Sequence, residues 1–345
     1  MSFDINKLLR ENIRTMKPYS SARDEFSGEA LAFLDANENP FNSPWNRYPD
    51  PRQVKLKTRV SEIKNIPVKN IFLGNGSDEP IDLLFRAFCE PGRDNIVSIN
   101  PTYGMYRVAA DTNNIAVNLV PLSVDFELDA IEVLAAVTAN TKIIFLCSPN
   151  NPSGNALDHN GMLRIIEGFK GIVVVDEAYI DFCPEKSFLP ALSQYPNLVI
   201  LQTFSKAWGM AGLRLGMAFA SEQIIEVLSR IKYPYNLSIL TQQKGLELLA
   251  DEQQMLDWVA IILKEREKMI QKLAKYPFVV KVYPTDANFV LVKTHDPREI
   301  YQYLVDEKII VRDRSSISLC EGCLRISIGS PEENATLIEA FDHLI

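Results

Sequence analysis

A primary amine can condense with an aldehyde, a guanidinium with nearby hydroxyls can hold a phosphate, and a carboxylate can keep a ring nitrogen protonated. This chain carries all three close together. Lys206 closes Thr203-Phe204-Ser205-Lys206, Arg214 follows eight positions later, and Asp176 and Tyr179 lie upstream. Lys206 can hold an aldehyde as a Schiff base. Arg214, with Thr203 and Ser205, makes a phosphate clamp, because a guanidinium binds two oxygens at once. An ionised Asp176 beside a pyridine nitrogen favours the protonated ring, which accepts electron density from a substrate carbanion. Tyr179 can donate a hydrogen bond to a phenolate oxygen. The set describes a pocket for pyridoxal phosphate.

Each member also has a plainer reading. Most lysines are solvated surface residues, an acidic residue after a strand can cap the next helix, and an arginine before an apolar run commonly serves in an ion pair. For Asp176 alone the two readings weigh equally. Lys206 has a less ordinary setting, between the apolar run 198–202 and Ala207-Trp208-Gly209-Met210-Ala211-Gly212, where small residues leave little outward-facing helix. The combination is far more specific than its members.

A second phosphate element is Gly74-Asn75-Gly76-Ser77-Asp78. Its glycines permit a tight turn, Pro80 suits the first turn of a following helix, and exposed N–H groups at a helix start hold anions. Alone it is a weak signal. Glu79 occupies the third glycine position of the dinucleotide pattern, and no Gly-Lys-Ser or Gly-Lys-Thr follows, so neither a dinucleotide nor a triphosphate loop fits.

These groups need a scaffold that gathers them. From about residue 54 to 220 short apolar runs at 71–73, 95–99, 115–120, 142–147, 172–175, 198–202 and 215–219 alternate with amphipathic stretches such as 82–88, 129–137 and 162–169. Buried runs punctuated by helices predict an α/β fold with a mostly parallel seven-stranded sheet covered on both faces. Ligands of such sheets bind beyond the carboxyl ends of strands. Gly76-Ser77-Asp78, Asn151, Asp176 and Lys206 each follow an apolar run, so all four can converge on one crevice. Beyond about residue 235 the rhythm changes to a long helical region, 239–274, then strand candidates at 279–282, 288–292, 309–312 and 324–328, and a final helix at 331–344. This predicts an arm over 1–35, a large domain over 36–235, and a connecting helix with a smaller α+β C-terminal domain over 236–345.

Composition narrows the class. Of the 345 residues, 47% are hydrophobic and 23% charged, as in ordinary globular proteins, and the net charge of −8 argues against a nucleic-acid surface. No run approaches a transmembrane length, the N-terminus lacks the apolar core of a secretory signal, and five cysteines suit a reducing compartment. A cytoplasmic location without membrane partners is expected. Cys320-Glu321-Gly322-Cys323 has metal-like spacing but no second pair, and only His159, His295 and His343 stand elsewhere, so no metal site is expected and the segment reads as a turn.

Further motifs complete the pattern: Pro18-Tyr19-Ser20-Ser21-Ala22-Arg23, Leu34-Asp35-Ala36-Asn37-Glu38-Asn39-Pro40, Arg47-Tyr48-Pro49-Asp50, Pro101-Thr102-Tyr103-Gly104-Met105-Tyr106 and Gly322-Cys323-Leu324-Arg325-Ile326. Over nearly its whole length the chain resembles the fold type I pyridoxal phosphate aminotransferases, and within them the histidinol-phosphate aminotransferase family. The resemblance implies that Tyr103 stacks on the pyridine ring and that Ser77 and Asp78 offer backbone N–H groups to the phosphate. It implies that Ser205 and Arg214 complete the phosphate site while Asn151 and Tyr179 contact the oxygen at ring position 3. It implies a homodimer with shared active sites, in which Tyr48 and Tyr19 serve the neighbouring subunit's cofactor or substrate. It also implies that Arg325 and Arg312 receive the substrate anion.

The expected reaction is transamination of L-histidinol phosphate with 2-oxoglutarate, giving imidazole-acetol phosphate and glutamate, in histidine biosynthesis. Lys206 would be the proton carrier. Rivals are an aromatic-amino-acid aminotransferase and a threonine-phosphate decarboxylase. A pyridoxal-phosphate-sensing regulator is disfavoured, because the cofactor-type segments begin by residue 34 and the charge does not suit DNA.

Overall fold

The computed structural model describes residues 3–17 and 31–344. Seven strands build one sheet: β1 (Ile71–Asn75), β2 (Asn95–Asn100), β3 (Ala116–Pro121), β4 (Thr141–Cys147), β5 (Ile172–Asp176), β6 (Leu198–Thr203) and β7 (Leu215–Ala220). Their order is β1-β7-β6-β5-β4-β2-β3. Pairings from β3 through β6 are parallel, whereas β7 runs antiparallel to both β6 and β1. The sheet is therefore mostly parallel, as the apolar runs predict.

The two-residue period of a strand divides the core. Ile144, Leu146, Val173 and Val175 face one apolar cluster, while Ile143, Phe145, Ile172 and Val174 face the other. Burial on both sides is why these strands read as unbroken apolar runs. Helices α1 (Glu11–Thr15), α2 (Val54–Lys64), α3 (Asp78–Phe88), α4 (Met105–Thr112), α5 (Ala130–Ala135), α6 (His159–Gly168) and α7 (Glu222–Ile231) flank this sheet. Leu56 of α2 and Ile165 of α6 join the first cluster, and Phe85 of α3, Tyr106 of α4 and Leu228 of α7 join the second.

Where the sequence reads as a single long helical region, two helices appear, α8 (Ile239–Leu248) and α9 (Glu252–Leu273). Asp251 accepts the Gln254 N–H at 3.0 Å and starts the second, while Leu249 is buried in the break. They lead to a smaller antiparallel sheet of β8 (Val279–Val282), β9 (Phe289–Thr294), β10 (Arg312–Asp313) and β11 (Cys323–Ser327), in the order β10-β11-β9-β8. Helices α10 (Pro297–Asp306) and α11 (Pro331–His343) cover it with α9, around Met269, Val290, Leu304, Leu324 and Phe341.

One local expectation changes. The strand expected at 309–312 shrinks to Arg312–Asp313, because Lys308 takes a left-handed φ of 63° and the Ile309 N–H returns to Leu304 O at 2.7 Å, closing the end of α10. The N-terminal stretch, which reads as an arm, lies on its own body over residues 3–17. Ile5 and Ile13 are buried against the α3 side, and the Arg10 N–H donates to Ala87 O at 3.0 Å.

Candidate active site

The ends of β1, β4, β5 and β6 open onto one cleft of about 490 Å³, counting the part open to solvent. Its walls include Ser77, Asp78, Tyr103, Asn151, Asp176, Tyr179, Thr203, Ser205, Lys206 and Arg214. The sequence-separated groups are thus brought together.

At one end lies an anion cradle. Gly76, at φ 70°, turns the chain from β1 into α3, and its N–H donates to Arg214 O at 2.6 Å. A side chain at Gly76 would meet the Arg214 guanidinium 2.5 Å away, so Arg214 lies directly over the turn. Arg214 itself takes a left-handed φ of 52° and holds Asp78 Oδ2 at 3.2 Å. Ser77 sits at the N-cap of α3 without making a capping bond, so the helix start has N–H groups to offer. Thr203 donates its hydroxyl to Ser205 Oγ at 3.0 Å across the cleft floor. Glu79, the residue that breaks the dinucleotide pattern, braces the turn. It accepts the Asn75 N–H at 2.6 Å and the Asn236 amide at 3.1 Å.

At the other end Asp176 closes β5, fully enclosed. Burial pushes its carboxyl up to about 6, and the Tyr106 hydroxyl at 2.7 Å and the Ala178 N–H at 3.1 Å keep it from rising further. Tyr103, whose hydroxyl donates to Asp78 Oδ1 at 3.1 Å, forms a side wall. Burial first and then Asp78 raise its phenol above the ordinary range, so it stays protonated.

Lys206 is reached by solvent. Protein still crowds its Nζ, which stands 5.4 Å from the centre of the Tyr179 ring. Burial, then the Arg325 guanidinium, lowers its proton affinity. The Asn151 amide donates to the Tyr179 hydroxyl at 3.4 Å, and Arg325 Nη1 donates to Asn151 Oδ1 at 2.6 Å. That pair joins the large sheet to β11 of the small one.

The remaining expected residues lie elsewhere. Arg312 is opposite Arg325 on β10 and exposed. Tyr48 does not line the cleft of its own chain; its ring stacks on Tyr235, centroids 4.4 Å apart, in a separate surface groove. Tyr19 falls outside the described residues. Three groups take no functional role from the sequence alone: Tyr106 beneath Asp176, Cys147 in the cleft wall, and Arg314, whose charge reaches Tyr179 and Arg325. Tyr106 falls in the motif at 101–106, but its spacing there is equally that of a core aromatic. Among the described residues, no group of His, Cys, Asp and Glu is placed to hold a metal ion, and no helix is long and apolar enough to cross a membrane. The Cys323 N–H returns to Cys320 O at 2.9 Å, closing the turn before β11.

The family model for aminotransferase class I and II matches residues 30–341. A histidinol-phosphate aminotransferase of Parabacteroides distasonis is 56% identical over 341 residues, spanning 99% of each chain. Another, from Cytophaga hutchinsonii, is 54% identical over 343 residues, or 98% of this chain and 99% of the relative. Among solved structures, the histidinol-phosphate aminotransferase from Sinorhizobium meliloti in complex with pyridoxal-5'-phosphate aligns with a TM-score of 0.79 and 23% identity over 90% of both chains. That last likeness is one of fold.

Proposed function

This chain belongs to the class I and II aminotransferases and, among them, to the histidinol-phosphate aminotransferases, and on that premise we propose that it transfers the amino group of L-histidinol phosphate to 2-oxoglutarate. The products are imidazole-acetol phosphate and glutamate, in cytoplasmic histidine biosynthesis. The observation that carries this reading is a single cleft with an anion cradle at one end, the buried Asp176 at the other and the Lys206 amine alongside.

The donor set fits pyridoxal phosphate. Arg214, Ser205, Thr203 and the start of α3 at Ser77 and Asp78 would hold its phosphate, Asp176 its ring nitrogen, Asn151 and Tyr179 its ring oxygen, and Tyr103 would lie against the ring. The Asp176 carboxyl, costly where it is, would gain a charge partner from a protonated nitrogen of the bound ring. When bound, this cofactor supplies an electron sink for the charge left as a proton leaves the amine-bearing carbon.

The chain's own residues do the rest. Lys206, whose hold on its proton burial and then Arg325 weaken, is the amine placed to take a proton from the substrate and return it one atom further along. Arg325 and Arg312 supply cations for the substrate's distal anion and, in the other half of the reaction, for glutamate's carboxylates. Leu31, Leu34, Phe41 and Trp45 stay exposed on the segment that leads to Tyr48. This supports a homodimer in which Tyr48 and Tyr19 serve the neighbouring subunit's cleft.

The deciding experiment mixes purified protein with pyridoxal phosphate, histidinol phosphate and 2-oxoglutarate and measures glutamate. In parallel, aromatic amino acids replace histidinol phosphate, and threonine phosphate is assayed for carbon dioxide release. We expect rapid glutamate formation with histidinol phosphate, and its loss by about 10³-fold or more in Lys206→Ala. Carbon dioxide release from threonine phosphate, or glutamate from aromatic amino acids alone, overturns the choice of substrate. A fully active Lys206→Ala overturns the mechanism.

A further inference from the structure

The two-residue strand β10 sets Arg312 directly opposite Arg325 of β11, so their side chains share one face of the small sheet. The pairing continues one step beyond the strand: the Arg314 N–H donates to Cys323 O at 2.9 Å. Residues two apart on an extended chain point the same way, which puts Arg314 on the face of Arg312 and Arg325. Three guanidinium groups therefore share one face of the small sheet, with Arg325 reaching Asn151 of the cleft wall.

Among the described residues, none of the three makes an ion pair with a carboxylate. The one side-chain hydrogen bond in the group runs from Arg325 to the neutral oxygen of Asn151, at 2.6 Å. Asp313, the nearest acid in sequence, instead accepts the Ser315 N–H at 2.8 Å. Arg314 Nε, Arg325 Nε and the neighbouring Ser315 Oγ are all buried without a hydrogen-bond partner among the described residues. Buried donors without partners cost stability, and three like charges held together cost more. A fold retains such a cluster where an anion completes it.

Arg314 is better placed for that anion than Arg312. It is half-buried where Arg312 is exposed. Burial, then Arg312, weakens the hold of Arg314 on its proton, and Arg325 is weakened by burial and then by Arg314 ahead of Arg312. Tyr179, on the floor of the cleft, also lies within reach of the charges of Arg325 and Arg314.

We propose that Arg314 is a third anion-binding arginine of the substrate site, and that with Arg325 and Arg312 it selects a doubly charged phosphate monoester over a singly charged carboxylate. The proposal rests on the aminotransferase reading above and extends it to a residue that reading does not use. Ser315 Oγ gives the same anion a neutral donor. A phosphate oxygen fan can engage several guanidinium groups at once, whereas one carboxylate satisfies a single fork.

The test uses the holoenzyme with Arg314→Gln, which keeps a polar side chain and removes the charge, and Arg314→Lys, which keeps the charge and removes the fork. For Arg314→Gln we expect KM for histidinol phosphate to rise about 10- to 100-fold. kcat and KM for 2-oxoglutarate should stay within about threefold on the same grounds. Arg314→Lys should fall between. Calorimetric titration with inorganic phosphate and with acetate at pH 8 reads the preference directly, without turnover. Phosphate affinity should drop at least about 10-fold in Arg314→Gln while acetate affinity barely moves. Equal losses for the two anions, or an unchanged phosphate affinity, overturn the proposal. If the unmodified enzyme makes no glutamate, the transamination reading fails, and the two titrations still decide the role of Arg314.

Discussion

Tyr106 donates its hydroxyl to Asp176 Oδ2 at 2.7 Å from beneath the cleft, and among the described residues this and the Ala178 N–H are the hydrogen bonds that favour the carboxylate. Burial acts the other way and carries the group up to about 6. A protonated ring nitrogen beside it would lower that value, and in the role proposed for Asp176 the charged form is the working one, so activity is expected to fall as pH drops through its pKa. Tyr106→Phe removes one bond to the charged form, which raises the carboxyl further. The acid limb of the kcat/KM profile should then move to higher pH by about 1 unit, since a bond to a charged group is worth at least about 1.4 kcal/mol. A limb that stays where it was rules Asp176 out as the titrating group. The sequence makes Asp176, Lys206 and Arg214 legible because each borders a strand of the sheet, where bound groups collect. It hides Tyr106 and Arg314. Tyr106 has the spacing of a core aromatic on α4 and meets Asp176 from 70 residues away. Arg314 stands in the polar run Asp313-Arg314-Ser315-Ser316, which has the composition of a solvated loop.

Strand β7 is inserted antiparallel between β1 and β6, and Gly216 at its second position faces Gly74 on one side and Thr203 on the other. A Cβ on Gly216 would meet Gly76 C and Ser77 N, each at 2.3 Å. Both are backbone atoms and cannot swing aside, so Gly216→Ala must push the turn that precedes α3. Overpacking of this kind costs about 1–3 kcal/mol. It falls on the anion cradle, so affinity for pyridoxal phosphate, followed by absorbance titration, should drop roughly 10-fold or more. Gly212→Ala is the control, because nothing lies within 4 Å of its added carbon. Equal affinity in the two variants would show that the turn is not held by β7. Elements of this kind are well marked in the sequence wherever both faces of a strand are apolar. They blur where no glycine or proline punctuates the chain, as between α8 and α9, whose break rests on the Asp251 cap and the burial of Leu249.

Across the whole molecule, contacts between the two sheets hold the cleft together, and an apolar surface stays exposed on the chain. Asn151 and Arg325 bridge the sheets at 2.6 Å, Lys186 and Asp286 meet at 2.7 Å, and the Asp286 N–H donates to Gly154 O at 2.8 Å. Outside this seam, Leu34, Phe41, Trp45 and Tyr233 expose 91%, 76%, 51% and 78% of their surface, on the segment carrying Tyr48 and the one carrying its stacking partner Tyr235. Apolar exposure on that scale marks an interaction surface. No spacing within one chain encodes a contact with a second copy, so the proposed dimer is read from the sequence only through family resemblance. Light scattering should give a particle of twice the 39.0 kDa chain mass. Replacing Leu34 and Phe41 together by Asp places charges in that surface and should yield monomers. Those monomers should keep the secondary structure of the parent, since both side chains lie outside the core, while losing turnover by about 10²-fold or more if the second copy orients substrate. Fully active monomers, or an unmodified chain that is monomeric at assay concentration, would show that one subunit holds a complete site.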